Sequence, residues 1–253
     1  MRHNRMPSIR NPALQDRRNT GYMAALFLAP TSKRFIMFDF TSARQHMVDS
    51  QIRTSDVTDI DVLRAFRAIP RERFVPKSKQ ALAYSDSHIA TDDDRTLISP
   101  RDFSKLVMAA EITPSDVVLD VACGRGYSSA ILAHLADTVV GLEDTEERVN
   151  RATSELTNAD INNAAVVQGS LIAGAPEHGP FNVIVINGAV NAVPEALLKQ
   201  LAHQGRLVTI VKDGAVGRAT VYTRSGDAVG ERVIFDSNVP LLKEFTRAPE
   251  FVL

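Results

Sequence analysis

Apolar residues along the chain follow two periods in alternation, and this predicts strands that alternate with helices. Five short apolar runs predict strands, at residues 117–121, 138–142, 164–167, 181–186 and 207–211. Helical spacing marks the segments around them, at residues 40–52, 59–68, 101–110, 128–133, 145–156 and 196–201. Two later runs, at residues 219–223 and 229–235, predict an antiparallel pair. The pattern therefore predicts an α/β fold, a doubly wound and mostly parallel sheet with an antiparallel C-terminal hairpin and an N-terminal helical cap.

The predicted strand at residues 117–121 runs into a glycine turn. The turn reads Gly124-Arg125-Gly126, and helical spacing resumes at Ser128. Glycine lets the backbone turn sharply and lets a ligand come close, and the following helix offers unpaired N–H groups. A dinucleotide fingerprint would have a third glycine where this chain has Ser129. We therefore interpret the turn as a site for S-adenosyl-L-methionine (AdoMet), and a nicotinamide cofactor stays a distant alternative.

Further polar residues fall at the same predicted edge of the sheet, the carboxyl ends of its strands, where folds of this class bind ligands. Glu143 ends the second strand, about 20 residues after the turn, the offset at which such folds place the acid that binds ribose hydroxyls. We predict that AdoMet contacts residues of the turn and of this edge: Asp120, Cys123, Gly124, Gly126, Tyr127, Glu143, Ser170 and Asn187. Within this set we interpret Cys123 as a small filler and not as a nucleophile.

Composition and charge exclude several classes of function. The net charge is −1, so the chain has no overall electrostatic footprint for nucleic acid. No apolar run is long enough to span a bilayer, so we expect no membrane segment. A single cysteine excludes an intramolecular disulfide, and the six histidines lack the spacing of metal ligands, so we expect no metal site.

Charge is uneven along the chain, and we predict three parts. Residues 1–36 carry seven Lys and Arg residues against Asp16 alone, a net charge of +6 that leaves −7 for the rest. Because this segment lacks sustained periodicity, we predict a basic, disordered extension. Residues 37–100 are predicted as a helical segment on the substrate side, in which residues 83–88 are an irregular polar stretch and the acidic run at residues 92–94 is a solvated loop. Residues 101–253 are predicted as the AdoMet-binding core.

Motifs in several parts of the chain occur together in one enzyme family. The most specific combination is Pro70-Arg71-Glu72-Arg73-Phe74-Val75-Pro76 with Leu119-Asp120-Val121 and Gly124-Arg125-Gly126-Tyr127. Further matches are Ala83-Tyr84-Ser85-Asp86, Gly179-Pro180-Phe181, Val193-Pro194-Glu195 and Val239-Pro240-Leu241. From about residue 43 to residue 245, the chain resembles the protein-L-isoaspartate O-methyltransferases. The resemblance implies a Rossmann-like fold and AdoMet-dependent methyl transfer to the carboxylate of L-isoaspartyl residues in damaged proteins or peptides, a repair reaction. It also leads us to expect a cytoplasmic monomer.

The chain departs from the family pattern at three positions. The family reads Thr-Ile-Ser-Gln-Pro before the core, and its serine is held to be the key active-site residue. When the sequences are aligned on Pro100, Ile98 takes that serine's place, with Ser99 beside it. Ser170 and Asn182 stand where the family usually has aspartate. Two alternatives therefore stay open: an AdoMet methyltransferase of the same fold with another acceptor, and a catalytically weak AdoMet-binding homologue.

Methylation of a carboxylate asks little chemistry of the protein. An isoaspartyl carboxyl group has a pKa near ~4, so it is ionised at neutral pH and needs no general base. Catalysis then depends on alignment of the oxygen with the methyl group and on exclusion of water. We predict that a hydroxyl of Ser99 or Thr96 orients the incoming carboxylate. The alternative role of both residues is turn or cap chemistry before Pro100.

Overall fold

The described part of the chain begins with helices. The structure, a computed structural model, describes residues 39–92 and 94–246. The disordered extension predicted at residues 1–36 lies outside the described residues. The first elements are α1 (Phe40–Met47), a π turn (Val48–Ile52), a 3₁₀ turn (Arg53–Ser55) and α2 (Ile60–Ala68). Both helices predicted before residue 70 are therefore present.

Helix α2 begins after a capping residue, Asp59. The carboxylate of Asp59 accepts hydrogen bonds from the N–H groups of Asp61 (2.8 Å) and Val62 (3.1 Å). These N–H groups have no partner inside the helix, so the cap satisfies them and stabilises the start of α2. Val62 and Phe66 then bury the apolar side of the helix against the core.

A small hairpin lies between the N-terminal helices and the main sheet. The segment contains two 3₁₀ helices (Arg71–Phe74 and Lys77–Leu82), β1 (Ile89–Asp92), β2 (Arg95–Leu97) and α3 (Pro100–Ala109). Strands β1 and β2 pair antiparallel, with Ile89 opposite Leu97. Strand β1 was not predicted, and it ends at Asp92, the first residue of the acidic run predicted as a loop. Strands of three and four residues are too short for a hydrophobic period to be detected.

The main sheet has seven strands among the described residues. They are β3 (Val117–Val121), β4 (Thr138–Glu143), β5 (Ala164–Gln168), β6 (Phe181–Val190), β7 (Leu201–Asp213), β8 (Val216–Ser225) and β9 (Ala228–Ser237). Their order is β5-β4-β3-β6-β7-β8-β9, with β3 to β7 parallel and the last two antiparallel to their neighbours. The chain leaves β3 toward β4 and returns on its other side as β6, so the strand order reverses between β3 and β6. Ligands bind at such a reversal.

Helices cover both faces of this sheet, as predicted. The remaining helices are α4 (Tyr127–Ala133), α5 (Glu146–Asn158) and α6 (Glu195–Lys199). Successive residues of β3 point to opposite faces: Val118 packs in a core cluster with α1 to α5, and Leu119 in a second cluster with α6. The first cluster contains Phe66 of α2 as well, so the N-terminal helices and the sheet share one core. The division at residue 100 stays a prediction.

Two strands are longer than their apolar runs. Strand β6 extends beyond the predicted end at residue 186, and β7 starts at Leu201, where a helix was expected to end. The pairing of these two strands shifts register between Val185 and Ala189, where Asn187 and Gly188 interrupt the apolar pattern. Such a bulge hides a strand from a search for apolar runs. None of the described helices has the length and apolarity needed to cross a membrane.

Candidate functional site

The glycine turn after β3 creates open space at the carboxyl edge of the sheet. Gly124 (φ 61°) and Gly126 (φ 89°) both have positive φ, which favours glycine. A Cβ on Gly126 would lie 3.2 Å from Leu156 Cγ, so this residue allows α5 to pack closely. A Cβ on Gly124 would meet no atom within 4 Å. Gly124 therefore faces space that a small ligand can enter.

Asp120 of β3 is fully buried in a network of neutral hydrogen-bond donors. Its carboxylate accepts from Ser128 Oγ (2.7 Å), from Ser129 Oγ (2.5 Å) and from Asn187 Nδ2. Burial raises the pKa of Asp120 to about 6, although the three hydrogen bonds act in the opposite direction. The network ties α4 and β6 to β3 and uses both carboxylate oxygens. Asp120 thus joins three elements of the fold, and its contact with the cofactor stays a prediction.

A cavity that opens to solvent lies between the turn and the segment around β2. The lining residues are Phe74, Thr91, Arg95, Thr96, Leu97, Ile98, Phe103, Ala122, Cys123, Gly124, Arg125, Tyr127, Ser128 and Asn187. Half of the predicted site residues are among them: Thr96, Cys123, Gly124, Tyr127 and Asn187. The other half do not line it: Ser99, Asp120, Gly126, Glu143 and Ser170.

Cys123 and Tyr127 are both buried in the wall of this cavity. Burial raises the pKa of the Cys123 thiol well above its ordinary value, so the thiol is neutral. A neutral thiol is a poor nucleophile, which agrees with the interpretation of Cys123 as a small filler. The ring of Tyr127 meets Phe74 edge-on at 5.6 Å between centroids, and the guanidinium of Arg71 lies 4.8 Å from its centroid. These contacts fix the apolar wall of the cavity.

Glu143 ends β4 at the predicted edge, and an arginine binds its carboxylate. Arg95 of β2 donates from Nε to both carboxylate oxygens (3.1 Å each) and from Nη2 to Oε2 (2.9 Å). The N–H of Gly124 donates to Oε1 (2.7 Å). The same guanidinium lies 3.3 Å from Asp144 and 3.1 Å from Glu244. Burial opposes the charge of Arg95, but the hydrogen bonds and negative charges of Glu143 and Glu244 outweigh it, and its pKa is raised.

The two predicted hydroxyls occupy different positions. Ser99 is buried, and its Oγ accepts from the N–H of Asp102 (3.3 Å), which makes Ser99 the N-cap of α3. Its own N–H donates to His88 Nδ1 (3.0 Å). Thr96 lines the cavity, and so does the buried side chain of Ile98, which stands at the family's serine position. The Ser99 hydroxyl serves as a helix cap, and its role in orienting the acceptor stays a prediction.

Ser170 lies at the same edge of the sheet, on the far side of Glu143 from the turn. The N–H of Gly169 donates to the carbonyl of Glu143 (2.9 Å), so Ser170 follows directly after the contact between β5 and β4. Its side chain is exposed, and its Oγ accepts from the N–H of Ala173 (3.4 Å). The edge therefore runs from the glycine turn past Glu143 to Ser170, as the sequence predicts.

Sequence reasoning missed two arginines of the site, Arg71 and Arg95. Arg71 is fully buried and donates to the carbonyls of Ala83 (2.7 Å) and Ile98 (2.7 Å), so it holds the segment that carries the cavity wall. Burial lowers the pKa of Arg71. The motif around Arg71 marks it as notable, but spacing gives no sign that an arginine is buried. Arg95 directly follows the acidic run at residues 92–94, which was predicted as a solvated loop, so its burial was not expected.

Comparison with known proteins gives the family. Residues 42–241 match the protein family described as protein-L-isoaspartate(D-aspartate) O-methyltransferase. The chain belongs to this family. A relative of that name from Gloeobacter violaceus is 35% identical over 200 residues, which cover 78% of this chain and 98% of the relative. A second, from Picosynechococcus, is 35% identical over 214 residues, covering 84% and 96%. A third, from Pelobacter propionicus, is 36% identical over 165 residues, covering 65% and 73%.

Solved structures of isoaspartate methyltransferases share the fold. One protein-L-isoaspartate O-methyltransferase superposes with a TM-score of 0.69 at 23% identity and covers 78% of this chain and 65% of its own. A putative family member from Plasmodium falciparum, in complex with S-adenosyl-L-homocysteine, superposes with a TM-score of 0.68 at 18% identity and covers 81% and 98%. The predicted Rossmann-like methyltransferase fold is therefore confirmed.

Proposed function

We propose that the chain transfers the methyl group of AdoMet to the carboxylate of L-isoaspartyl residues in damaged proteins or peptides. The match to the isoaspartate methyltransferase family over residues 42–241 carries this proposal. The cavity beside the glycine turn, with apolar walls and a few polar groups, supports it. The complex of the Plasmodium falciparum protein with S-adenosyl-L-homocysteine supports AdoMet as the cofactor.

The residues at the edge of the sheet fit AdoMet, with one rearrangement. Gly124 leaves space above the turn, and Asn187 lines the adjoining cavity. Glu143 stands where an acid would accept from the ribose hydroxyls, but Arg95 binds both of its oxygens, so the ribose needs Arg95 to withdraw. We assign Gly124, Asn187, Glu143 and the exposed Ser170 to cofactor binding. When bound, AdoMet supplies an electrophilic methyl group on its sulfonium.

Thr96 is the residue that we propose to orient the acceptor. Thr96 lines the cavity, and we propose that its hydroxyl donates a hydrogen bond there to an incoming carboxylate. Apolar neighbours, among them Phe74, Leu97 and Phe103, keep water away from the reacting oxygen. The carboxylate is already an anion at neutral pH, so orientation and exclusion of water are sufficient roles for these residues.

A methyl-transfer assay tests the function. An isoaspartyl peptide and its aspartyl twin, otherwise identical, are incubated with labelled AdoMet, and methyl ester formation is measured. We expect ester on the isoaspartyl peptide alone. Equal labelling of both peptides, or labelling of neither while S-adenosyl-L-homocysteine still binds, would contradict the proposed acceptor.

Two substitutions separate the roles of Thr96 and Ser99. Thr96→Val removes a hydroxyl without changing the shape of the side chain, and we expect kcat/KM to fall about 10-fold, the value of roughly one hydrogen bond to a charged group. Ser99→Ala removes the cap of α3, and we expect a loss of about 1 kcal/mol in the free energy of unfolding with kcat/KM within about twofold. The opposite pattern would return the orienting role to Ser99.

One observation favours a second candidate, an AdoMet methyltransferase of the same fold with a different acceptor. Ile98 puts an apolar side chain into the cavity wall at the family's serine position. An apolar wall suits an acceptor whose methylated atom has less polar neighbouring groups than the carboxylate of an isoaspartyl peptide has. Ile98→Ser decides between the two. A gain in methylation of the isoaspartyl peptide would indicate that the native site serves another acceptor, and unchanged or reduced methylation would favour the first candidate.

We also propose that the enzyme acts as a cytoplasmic monomer. Membership in the isoaspartate methyltransferase family leads us to this proposal. Light scattering after size-exclusion chromatography measures the mass directly. A mass near twice the 27.7 kDa of the chain would contradict the proposal.

A further inference from the structure

The guanidinium of Arg95 is enclosed by carboxylates from three parts of the chain. It binds Glu143 at the end of β4, lies 3.3 Å from Asp144 in the next position, and lies 3.1 Å from Glu244 near the C-terminal end of the described residues. Only 1% of the Arg95 side chain is exposed, and Glu143 is fully buried. A buried arginine with this set of partners is a specific arrangement, because each charge would be costly to bury alone.

The hydrogen bonds of Arg95 use the same oxygens that a ribose would need. Oε1 of Glu143 accepts from Gly124 N–H (2.7 Å) and from Arg95 Nε (3.1 Å). Oε2 accepts from Arg95 Nε (3.1 Å) and Nη2 (2.9 Å). A vicinal diol donates two hydrogen bonds to a carboxylate, so it needs the directions that the guanidinium fills. Diol and guanidinium therefore exclude each other at Glu143.

The surroundings give Arg95 somewhere else to bind. Asp144 and Glu244 are partly exposed, with 27% and 25% of their side chains accessible, and both already lie within reach of the guanidinium. If Arg95 gives up Glu143, these two carboxylates keep its charge compensated. The exchange therefore moves the arginine between acids and does not leave a buried cation without a partner.

We infer that Arg95 is a specificity-determining residue of the cofactor site, which competes with the ribose diol for Glu143. The inference rests on the proposed AdoMet function. It says that the contact between Arg95 and Glu143 must break when the cofactor binds. A ligand with both ribose hydroxyls replaces the hydrogen bonds that Arg95 gives up at Glu143. A ligand without them leaves Arg95 on Glu143, so it gains no contact with that carboxylate and its affinity does not depend on Arg95. The apparent affinity of the native chain for the ribose ligand is the intrinsic affinity multiplied by the fraction of molecules in which Arg95 has released Glu143.

Titration calorimetry with adenosine ligands tests this competition. The full chain and the variant Arg95→Gln are titrated with S-adenosyl-L-homocysteine, with adenosine and with 2′,3′-dideoxyadenosine. We expect Arg95→Gln to bind the first two at least tenfold more tightly than the native chain. We expect the affinity for the dideoxy compound to change less than threefold, because it lacks the groups that gain access to Glu143.

Two further variants make the test independent of folding defects. Arg95→Lys keeps the charge but not the planar fork that spans both oxygens, and we expect an affinity between those of the native chain and Arg95→Gln. Arg148→Gln is the matched control, since Arg148 is bound to Asp144 in the same cluster and the structure gives it no bond to Glu143 among the described residues. We expect Arg148→Gln to leave adenosine affinity within twofold. The circular dichroism spectrum of each variant checks its fold.

The outcomes separate the inference from the function on which it rests. Weaker adenosine binding by Arg95→Gln would show that Arg95 contacts the ligand, and unchanged binding would show that the two do not compete; either result overturns the inference. An equal gain for the dideoxy compound would also overturn it. If S-adenosyl-L-homocysteine binds to the native chain and to no greater extent to the variants, the proposed function stands and only the inference fails. If it binds to none of them, the proposed function fails.

Discussion

Two buried carboxylates lie near the ends of neighbouring strands, and they are held in opposite ways. Asp120 on β3 accepts from two hydroxyls and an amide, all neutral. Glu143 on β4 accepts from the guanidinium of Arg95 and from two backbone N–H groups, those of Gly124 and Asp144. Neutral donors give a buried acid hydrogen bonds without an opposite charge, which is why burial still raises the pKa of Asp120 to about 6. A guanidinium supplies the hydrogen bonds and the opposite charge together.

The difference lies in how firmly each set of partners is fixed. The donors to Asp120 belong to α4 and β6, which pack on or within the main sheet, so their contacts are lost only when the fold is lost. The partner of Glu143 belongs to β2, a three-residue strand of a separate two-stranded sheet. A contact made by such a small element can be exchanged for a ligand. We therefore propose that the carboxylate is structural at Asp120 and binds the ligand at Glu143.

The largest effect that separates the two acids is expected for Asp120→Ala. The change leaves two hydroxyls and the Asn187 amide without their acceptor, and we expect a loss of about 2–4 kcal/mol in the free energy of unfolding. Urea denaturation measures the loss, and the exposed Asp137→Ala serves as the control, within about 0.5 kcal/mol of the native chain. A loss below about 1 kcal/mol would mean that the network does not hold β3, α4 and β6 together.

A smaller effect follows from the titration of Asp120. Its pKa is about 6 in the folded chain and ~4 in the unfolded chain, so the folded chain holds this proton more tightly. The contribution of Asp120 to stability therefore falls as the pH rises from about 4 to about 6. Comparison with Asp120→Asn, which cannot titrate, isolates the effect. We expect the difference in unfolding free energy between the two proteins to change by about 2 kcal/mol over this range. A constant difference would show that Asp120 titrates at its ordinary value.

Local patterns in the sequence were sufficient to bring the two acids to one edge. The apolar runs place Asp120 and Glu143 near the ends of adjacent parallel strands, and the structure pairs those strands in that register. The roles of the acids depend on partners far away in the sequence. Asn187 lies 67 residues after Asp120, and Arg95 lies 48 residues before Glu143. Periodicity and motif spacing carry no information about such contacts, so the sequence assigned both acids to the cofactor.

The role of Ser99 shows a signal that was present in the sequence. Serine followed by proline at the first position of a helix is a typical N-cap, because the proline needs no hydrogen-bond acceptor there and the serine hydroxyl binds the next free N–H. The structure has this arrangement, with Ser99 Oγ bound to Asp102 N–H. Alignment on the family's proline drew attention to Ser99, and the capping signal would have assigned its hydroxyl to the helix. Thr96 carries no comparable local signal.

The smallest expected effect sharpens the comparison most, because it divides the Asp120 network into its parts. Ser128 and Ser129 donate to the same oxygen, Oδ2 of Asp120. Ser128→Ala and Ser129→Ala each leave Oδ2 with one hydroxyl donor, and we expect each to cost about 1 kcal/mol of unfolding free energy. The double variant removes both hydroxyl donors from a buried oxygen, so its loss should exceed the sum of the single losses.

Urea denaturation of the four proteins completes this cycle, and titration with adenosine adds the contrast with Glu143. We expect Ser129→Ala to bind adenosine with the native affinity within about threefold, since neither Ser129 nor Asp120 lines the cavity. An additive double variant would show that the two serines act on Asp120 independently. A loss of adenosine affinity that follows the loss of stability would place Asp120 in the ligand site after all, and the distinction between a structural and a binding carboxylate would then fail.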